Sequence, residues 1–257
     1  MSYAMLVDAV KCIGCQGCQV SCKNWNDRPG ERTMLGDTFG NPKGLDSSTY
    51  TVCRFKEGAG PEGIEWHFSK VQCMHCAEPA CVAACPCGAL TKSKLGPVEY
   101  NNGLCIGCRY CMLACPFQVP TFEWKSALPY IQKCSFCSDR IRNGIEPACS
   151  RTCAPGALTF GRREDLLKIA EDRINARPDK YINYIYGKDE VGGTSWLYIS
   201  DTDFKNLSLR EDVEKGNYAN YSWKAISRTP AIGIGAAVLI AGFFFIADRR
   251  DRNGEGR

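Results

Sequence analysis

The chain has 257 residues, enough for one large domain or two small ones, and its 44% hydrophobic content is ordinary for a folded protein. With 32 basic and 28 acidic residues the net charge is only +4, too small a field to favour nucleic acid or an anionic substrate. The 18 cysteines would suit a disulfide scaffold in a short secreted chain, but MSYAMLVDAVKC lacks the basic start and apolar run of a secretory signal, so a reducing folding compartment is expected.

In chain order, the first feature is KCIGCQGCQVSC at 11–22, which carries Cys12, Cys15, Cys18 and Cys22 at spacing CxxCxxCxxxC. A Gly- and Pro-rich insertion of about fifty residues follows (23–72), and its pieces TYTVCRF and IEWHF read as two strands. Cys73, Cys76, Cys81 and Cys85 form a second run, and LCIGCRYCMLAC at 104–115 repeats the first spacing with Cys105, Cys108, Cys111 and Cys115. A fourth run holds Cys134, Cys137, Cys149 and Cys153. The second and fourth runs end CPCGAL and CAPGAL, an internal repeat that duplicated modules explain.

After residue 160 the cysteines stop. In REDLLKIAEDRINARP, Leu166, Leu167, Ala170 and Ile174 recur at helical spacing, with acids in the first turn and Pro178 as a stop. TSWLYIS at 194–200 reads as a buried strand. A polar connection with Tyr218, Tyr221 and Trp223 leads to AIGIGAAVLIAGFFFIA (231–247), where no charge occurs in 17 residues. As a helix it is roughly 25 Å long, a marginal membrane span by length alone, and a buried hairpin in a soluble core is the competing reading. Thr229 suits its cap and Pro230 its first turn. Tyr221 and Trp223 before the helix, with Arg249, Arg250 and Arg252 after it, supply interfacial anchors. Gly233, Ala237 and Ala241 would let a partner's membrane helix pack closely.

Three chemistries compete for the sulfurs. A bridge within CxxC constrains little chain, and four such groups in a reducing compartment make a poor disulfide scaffold. Zinc takes four tetrahedral ligands, usually two CxxC pairs across a longer loop, and has no use for CxxCxxC with another sulfur three residues on. A 4Fe-4S cube has four iron corners, and a loop with a sulfur every third residue can wrap three of them. In bacterial two-cluster ferredoxins the run C-x2-C-x2-C-x3-C-P gives three ligands to one cluster and its last cysteine to the other. Cys105, Cys108, Cys111 and Cys115 before Pro116 match that run, and Cys85 before Pro86 ends its partner likewise. Sixteen cysteines therefore predict four 4Fe-4S clusters. The exchange predicts the sets Cys73, Cys76, Cys81 with Cys115; Cys105, Cys108, Cys111 with Cys85; Cys12, Cys15, Cys18 with Cys153; and Cys134, Cys137, Cys149 with Cys22.

Two cysteines remain: Cys53 reads as a small apolar strand residue and Cys87 as a turn residue beside a cluster. His75, inside CMHC, is expected to donate to a ligand sulfur rather than bind iron. Of the cations flanking the runs (Lys11, Lys23, Arg109, Lys133, Arg140 and Arg151), Arg109 is the first choice for raising a cluster's potential. No Ser-His-Asp set and no phosphate loop appear, and His67 and His75 are the only histidines, so no catalytic residue is expected.

The fold expected is α+β: two pseudo-symmetric two-cluster ferredoxin-like modules with an insertion, plus one C-terminal transmembrane helix. The boundaries are 1–160 for the core (insertion 23–72), 161–226 for a helix, strand and linker, and 227–257 for the anchor, its helix at about 230–247. CIGCQGCQVSCKNWND, CMHCAEPAC, CIGCRYCMLACPFQVP, KCSFCSDRI, EPACSRTCAPGALTFG and VGGTSWLYIS together resemble the iron-sulfur subunit of molybdopterin oxidoreductases, most of all the β subunit of membrane-bound formate dehydrogenase and its hydrogenase relatives. The resemblance implies a non-catalytic relay between a catalytic molybdopterin or hydrogenase subunit and a membrane cytochrome b or quinone-reactive subunit. It also implies a globular part on the extracytoplasmic face, exported folded with a partner's twin-arginine signal. The charges disagree on the side: arginines after the helix suit a cytoplasmic tail, while Lys215, Lys224 and Arg228 before it pull the other way. A zinc-bearing nucleic-acid module is the rival from another class.

Overall fold

The computed structural model describes residues 2–32, 40–60, 63–124, 130–220 and 227–254. The chain divides into two units, Met1–Tyr218 and Ala219–Arg257. In the first, nine strands and six α-helices appear among the described residues, most of them short because each cysteine run is a loop leading into a single helical turn or two.

Strand β1 (Tyr3–Asp8) is the centre of a three-stranded sheet, flanked by β8 (Leu158–Arg162) antiparallel and β9 (Trp196–Ile199) parallel. Its residues Ala4 to Val7 are all buried, and they divide between two faces as a two-residue period demands. Met5 and Val7 pack with Phe136, Tyr186, Trp196 and Tyr198. Ala4 and Leu6 pack with Leu197, Ile199 and the apolar face of helix α6 (Arg163–Ala176), which buries Leu166, Ala170 and Ile174 at helical spacing. The sheet thus separates the cysteine loops from the α6 side.

The remaining strands pair in a repeated scheme. β2 (Thr51–Gly60) and β3 (Gly63–Gln72) form a hairpin between the first and second runs, and β6 (Thr121–Phe122) and β7 (Ile131–Gln132) form one between the third and fourth. β4 (Leu90–Lys92) after the second run pairs with β5 (Val98–Tyr100) before the third, as β8 after the fourth pairs with β1 before the first. Local details repeat too: Ala89 O accepts from Asn101 N and Ala157 O from Asp8 N, both at 2.8 Å, and a one-turn 3-10 helix precedes both Cys12 and Cys105. These are the two pseudo-symmetric ferredoxin-like modules expected. The inserted strands run longer than the two sequence pieces, and the base of their hairpin is buried, with Val52, Cys53, Ser69 and Lys70 among its interior residues.

In the second unit, helix α7 spans Thr229–Gly254, beyond the expected 230–247. Ile232 N donates to Arg228 O at 3.1 Å, and Thr229 is the first residue of the helix rather than the residue before it. At the far end charged residues continue it, with Asp248 and Arg252 paired one turn apart at 3.0 Å. Residues 229–250 have mean hydropathy 2.3 over their most apolar window, and their side chains are uncovered. The anchors expected at Tyr221 and Trp223, and Lys224, lie outside the described residues.

Candidate iron-sulfur centres

Each run wraps its sulfurs by the same backbone device. The residue just before the second cysteine is left-handed in all four: Gly14 at φ +64°, His75 at +49°, Gly107 at +68° and Phe136 at +56°. That twist turns the chain back on itself and swings amide hydrogens toward the sulfurs, as Gly107 N to Cys105 Sγ at 3.5 Å and Phe136 N to Cys134 Sγ at 3.3 Å record. Gln16 and Arg109 are left-handed as well and open helices α1 (Gly17–Trp25) and α3 (Tyr110–Ala114), which carry the next cysteines. In the second and fourth runs α2 (Ala80–Ala83) and α5 (Ala148–Arg151) do the same for Cys81 and Cys149, and α4 (Ser138–Arg142) follows Cys137. At Gly14 a side chain has no room, since a Cβ would stand 2.7 Å from the Phe68 ring. His75 and Phe136 fill the equivalent place with rings stacked 5.1 Å apart in the interior.

The thiols collect across runs. Burial pushes Cys18 up to about 11, with Cys149, Cys12 and Cys153 as its thiol neighbours. Burial pushes Cys22 up to about 12, beside Cys149 and Cys137 of the fourth run. Cys76 is raised well above the usual range by burial and then by Cys73, Cys115 and Cys81. Cys111 rises to about 11, again through burial first, then Cys108, Cys105 and Cys85. Each run's last cysteine therefore sits among sulfurs of another run. The groups also adjoin one another, since Cys134 has Cys22 and Cys73 as neighbours and Cys81 has Cys111.

Around the sulfurs, the structure revises several expectations. Cys53 is buried, yet it is more than an apolar filler. Its thiol acts on Cys12, holding it down to about 7, while the same pairing and burial push Cys53 itself up. Cys87 lies in a turn 3.7 Å from the sulfur of Cys85. His75 Nδ1 accepts from Val98 N at 2.8 Å, and burial holds the ring well below the usual histidine range and so neutral, which leaves the proton on a buried Nε2 that has no hydrogen-bond partner among the described residues. Arg109 is exposed and lies over the Trp124 ring at 4.4 Å, so solvent screens it. Lys11, Lys23 and Arg151 pair with Asp8, Glu31 and Glu146, and Arg140 covers Trp25 at 4.3 Å. Of the flanking cations Lys133 is the buried one, donating to Val98 O at 2.6 Å and Cys134 O at 3.1 Å. Lys70 and Lys92, also near sulfurs, carry no signal in the sequence because strand spacing alone does not say which hairpin face meets a neighbouring loop.

Thiols in this number, with amide donors and buried cations around them, fit cubane clusters, whose sulfur ligands and negative charge want that surrounding. Fold and donor set define an iron-sulfur electron carrier.

Comparison with known proteins agrees. Two models of the 4Fe-4S dicluster domain match residues 11–89 and 64–163. The chain is 37% identical over 251 residues to "Formate dehydrogenase-O iron-sulfur subunit" of Escherichia coli (strain K12), covering 94% of this chain and 81% of the relative. It is 40% identical over 203 residues to "Formate dehydrogenase iron-sulfur subunit" of Haemophilus influenzae, covering 77% and 64%. It is 32% identical over 277 residues to "Hydrogenase-2 operon protein HybA" of Escherichia coli O157:H7, covering 93% and 84%. The chain belongs to this family of four-cluster iron-sulfur subunits and relays electrons through four 4Fe-4S clusters.

Proposed function

We propose that the chain is the non-catalytic electron-transfer subunit of a membrane-bound complex, passing single electrons between a molybdenum or tungsten formate dehydrogenase subunit and a cytochrome b or quinone-reactive membrane subunit. The observation that carries this reading is the order in which the thiol groups adjoin. The set Cys12, Cys15, Cys18 and Cys153 meets the set Cys134, Cys137, Cys149 and Cys22 through Cys18 and Cys149. The latter meets Cys73, Cys76, Cys81 and Cys115 through Cys134 and Cys73, and that set meets Cys105, Cys108, Cys111 and Cys85 through Cys81 and Cys111. Pairing of β1 with β8 and of β4 with β5 supports the same grouping, because each pair ties together the two runs that exchange a cysteine.

Bound at these sets, the clusters supply one-electron chemistry. The chain's own part is to seat the centres in single file, exclude water from the middle of the row, and open its ends. Cys15 and Cys108, in the two terminal sets, are exposed beside exposed Ile13 and Ile106, where partner subunits can approach. Helix α7 is the anchor, and we place the globular part on the extracytoplasmic side.

The likeness to HybA favours a second partner, a NiFe hydrogenase catalytic subunit. One experiment separates the two. The complex purified from membranes is assayed for molybdenum, tungsten and nickel, and its cluster absorption near 400 nm is followed after adding formate or hydrogen. Bleaching by formate with molybdenum or tungsten present supports the first reading. Bleaching by hydrogen with nickel supports the second, and bleaching by neither removes both. Within the chain, Cys22→Ser should damage the fourth-run cluster; loss of the first-run cluster instead would overturn the exchange.

A further inference from the structure

Lys70, near the end of strand β3 of the inserted hairpin just before the second run, is 3% exposed. Its Nζ donates to Thr51 Oγ1 at 2.7 Å and Gln72 Oε1 at 3.0 Å and stands 4.3 Å from the centroid of the Trp196 ring. None of the ion pairs among the described residues includes it. The ammonium is therefore buried among neutral partners, an arrangement that desolvation disfavours unless negative charge lies close by. The nearby groups able to provide it are sulfurs: the Trp196 ring under the ammonium packs in one cluster with Cys149, Cys18 and Cys153. Burial alone would depress the lysine, but Cys149, Cys18, Cys134 and Cys22 more than reverse this and raise it. Lys92 and Lys133, the other inward lysines, give their donors to backbone carbonyls, Lys92 beside the second run and Lys133 to Val98 and Cys134.

We propose that Lys70 is a potential-setting residue of the relay: its buried ammonium, in the interior where Cys18, Cys22, Cys134 and Cys149 gather, favours the reduced state of the first- and fourth-run clusters and makes that end of the row the place where an electron rests. A cation fixed in a low-dielectric interior acts on a neighbouring charge far more strongly than a screened surface cation such as Arg109. Each reduction brings in one electron from the adjoining donor centre, with no proton taken up and no bond made or broken at Lys70. The inference rests on the cluster grouping proposed above.

The test uses the complex as isolated, with iron per chain and redox titration followed by electron paramagnetic resonance as readouts. Lys70→Met removes the cation at similar size. Gln72→Glu keeps it but sets a carboxylate beside it. Thr51→Val removes only a hydroxyl partner. In the first two, the reduced-to-oxidised ratio of two clusters at fixed potential should fall at least tenfold, a shift of 59 mV for a one-electron couple; in Thr51→Val it should change less than threefold. Sixteen irons with unchanged potentials in Lys70→Met and Gln72→Glu would overturn the proposal, as would an equal shift in Thr51→Val. If Lys70→Met loses iron, Gln72→Glu decides, and iron loss in both marks an assembly residue and overturns the role in potential. Fewer than four one-electron centres in the unaltered chain would instead refute the relay grouping, which is a separate result.

Discussion

The left-handed residue before the second cysteine of each run shows how one backbone requirement is met by different side chains. At Gly14 both the φ of +64° and the Phe68 ring exclude a side chain, whereas at Gly107 only the φ does, since space there is open. Gly14→Ala should therefore destabilise the holoprotein by about 2 kcal/mol or more and Gly107→Ala by about 1 kcal/mol, read from thermal loss of absorption near 400 nm; equal losses would contradict the role of Phe68. Cys53 offers a second residue-scale test. Cys53→Ala removes the thiol that acts on Cys12 while leaving all sixteen proposed ligand cysteines in place. Sixteen irons should remain, and the potential of the first-run cluster should fall by on the order of 40 mV, the equivalent of about 1 kcal/mol. Nothing in TVCRF announces this contact, because a cysteine on a strand reads as a small apolar residue until its neighbour across the fold is known.

At the scale of elements, α6 is fastened to the sheet by more than its apolar face. Asp8 at the end of β1 is fully buried, with Arg173 Nη1 at 3.1 Å and the Tyr181 hydroxyl donating at 3.1 Å. Arg173→Met strips a buried carboxylate of its hydrogen-bonded cation, leaving only the half-exposed Lys11 at 3.9 Å, and should cost on the order of 3 kcal/mol in denaturant unfolding, well beyond a surface substitution. Burial, followed by the Asp8 carboxylate, pushes Tyr181 up to about 12. A raised pKa contributes stability that is present below the ordinary tyrosine value and lost as pH rises through the folded one, so this contact should weaken from about pH 10 to 12 and be indifferent below. Helix α7 belongs to the other unit, so ending the chain before Thr229 should move it from the membrane to the soluble fraction with its iron intact.

For the whole molecule, burial of thiols from all four runs ties folding to iron. Cys22, Cys76, Cys111 and Cys134 are all raised by burial, so without iron they stay as neutral thiols rather than the anions that clusters require. Stripping the iron by chelation under oxidising conditions should bleach the 400 nm band and collapse the near-ultraviolet circular dichroism together. Retention of native tertiary signal after full bleaching would show that the modules stand on their apolar cores alone.

The sequence by itself determined the cofactor class, the number of clusters and the duplicated architecture, because ligand spacing is a local property: three sulfurs must reach three iron corners from one loop, and only the chain between them sets that reach. It also marked α6, β9 and the apolar helix, whose periodicities follow from which face is covered. The tertiary structure alone decided what surrounds the sulfurs. Lys70 lies among thiols, Cys53 touches Cys12 and His75 turns to a backbone amide because segments distant in the chain meet at the two modules' shared interior. Those meetings depend on the register of β2 with β3 and on packing against Trp196 and Phe136, and no single segment encodes a contact that two of them make.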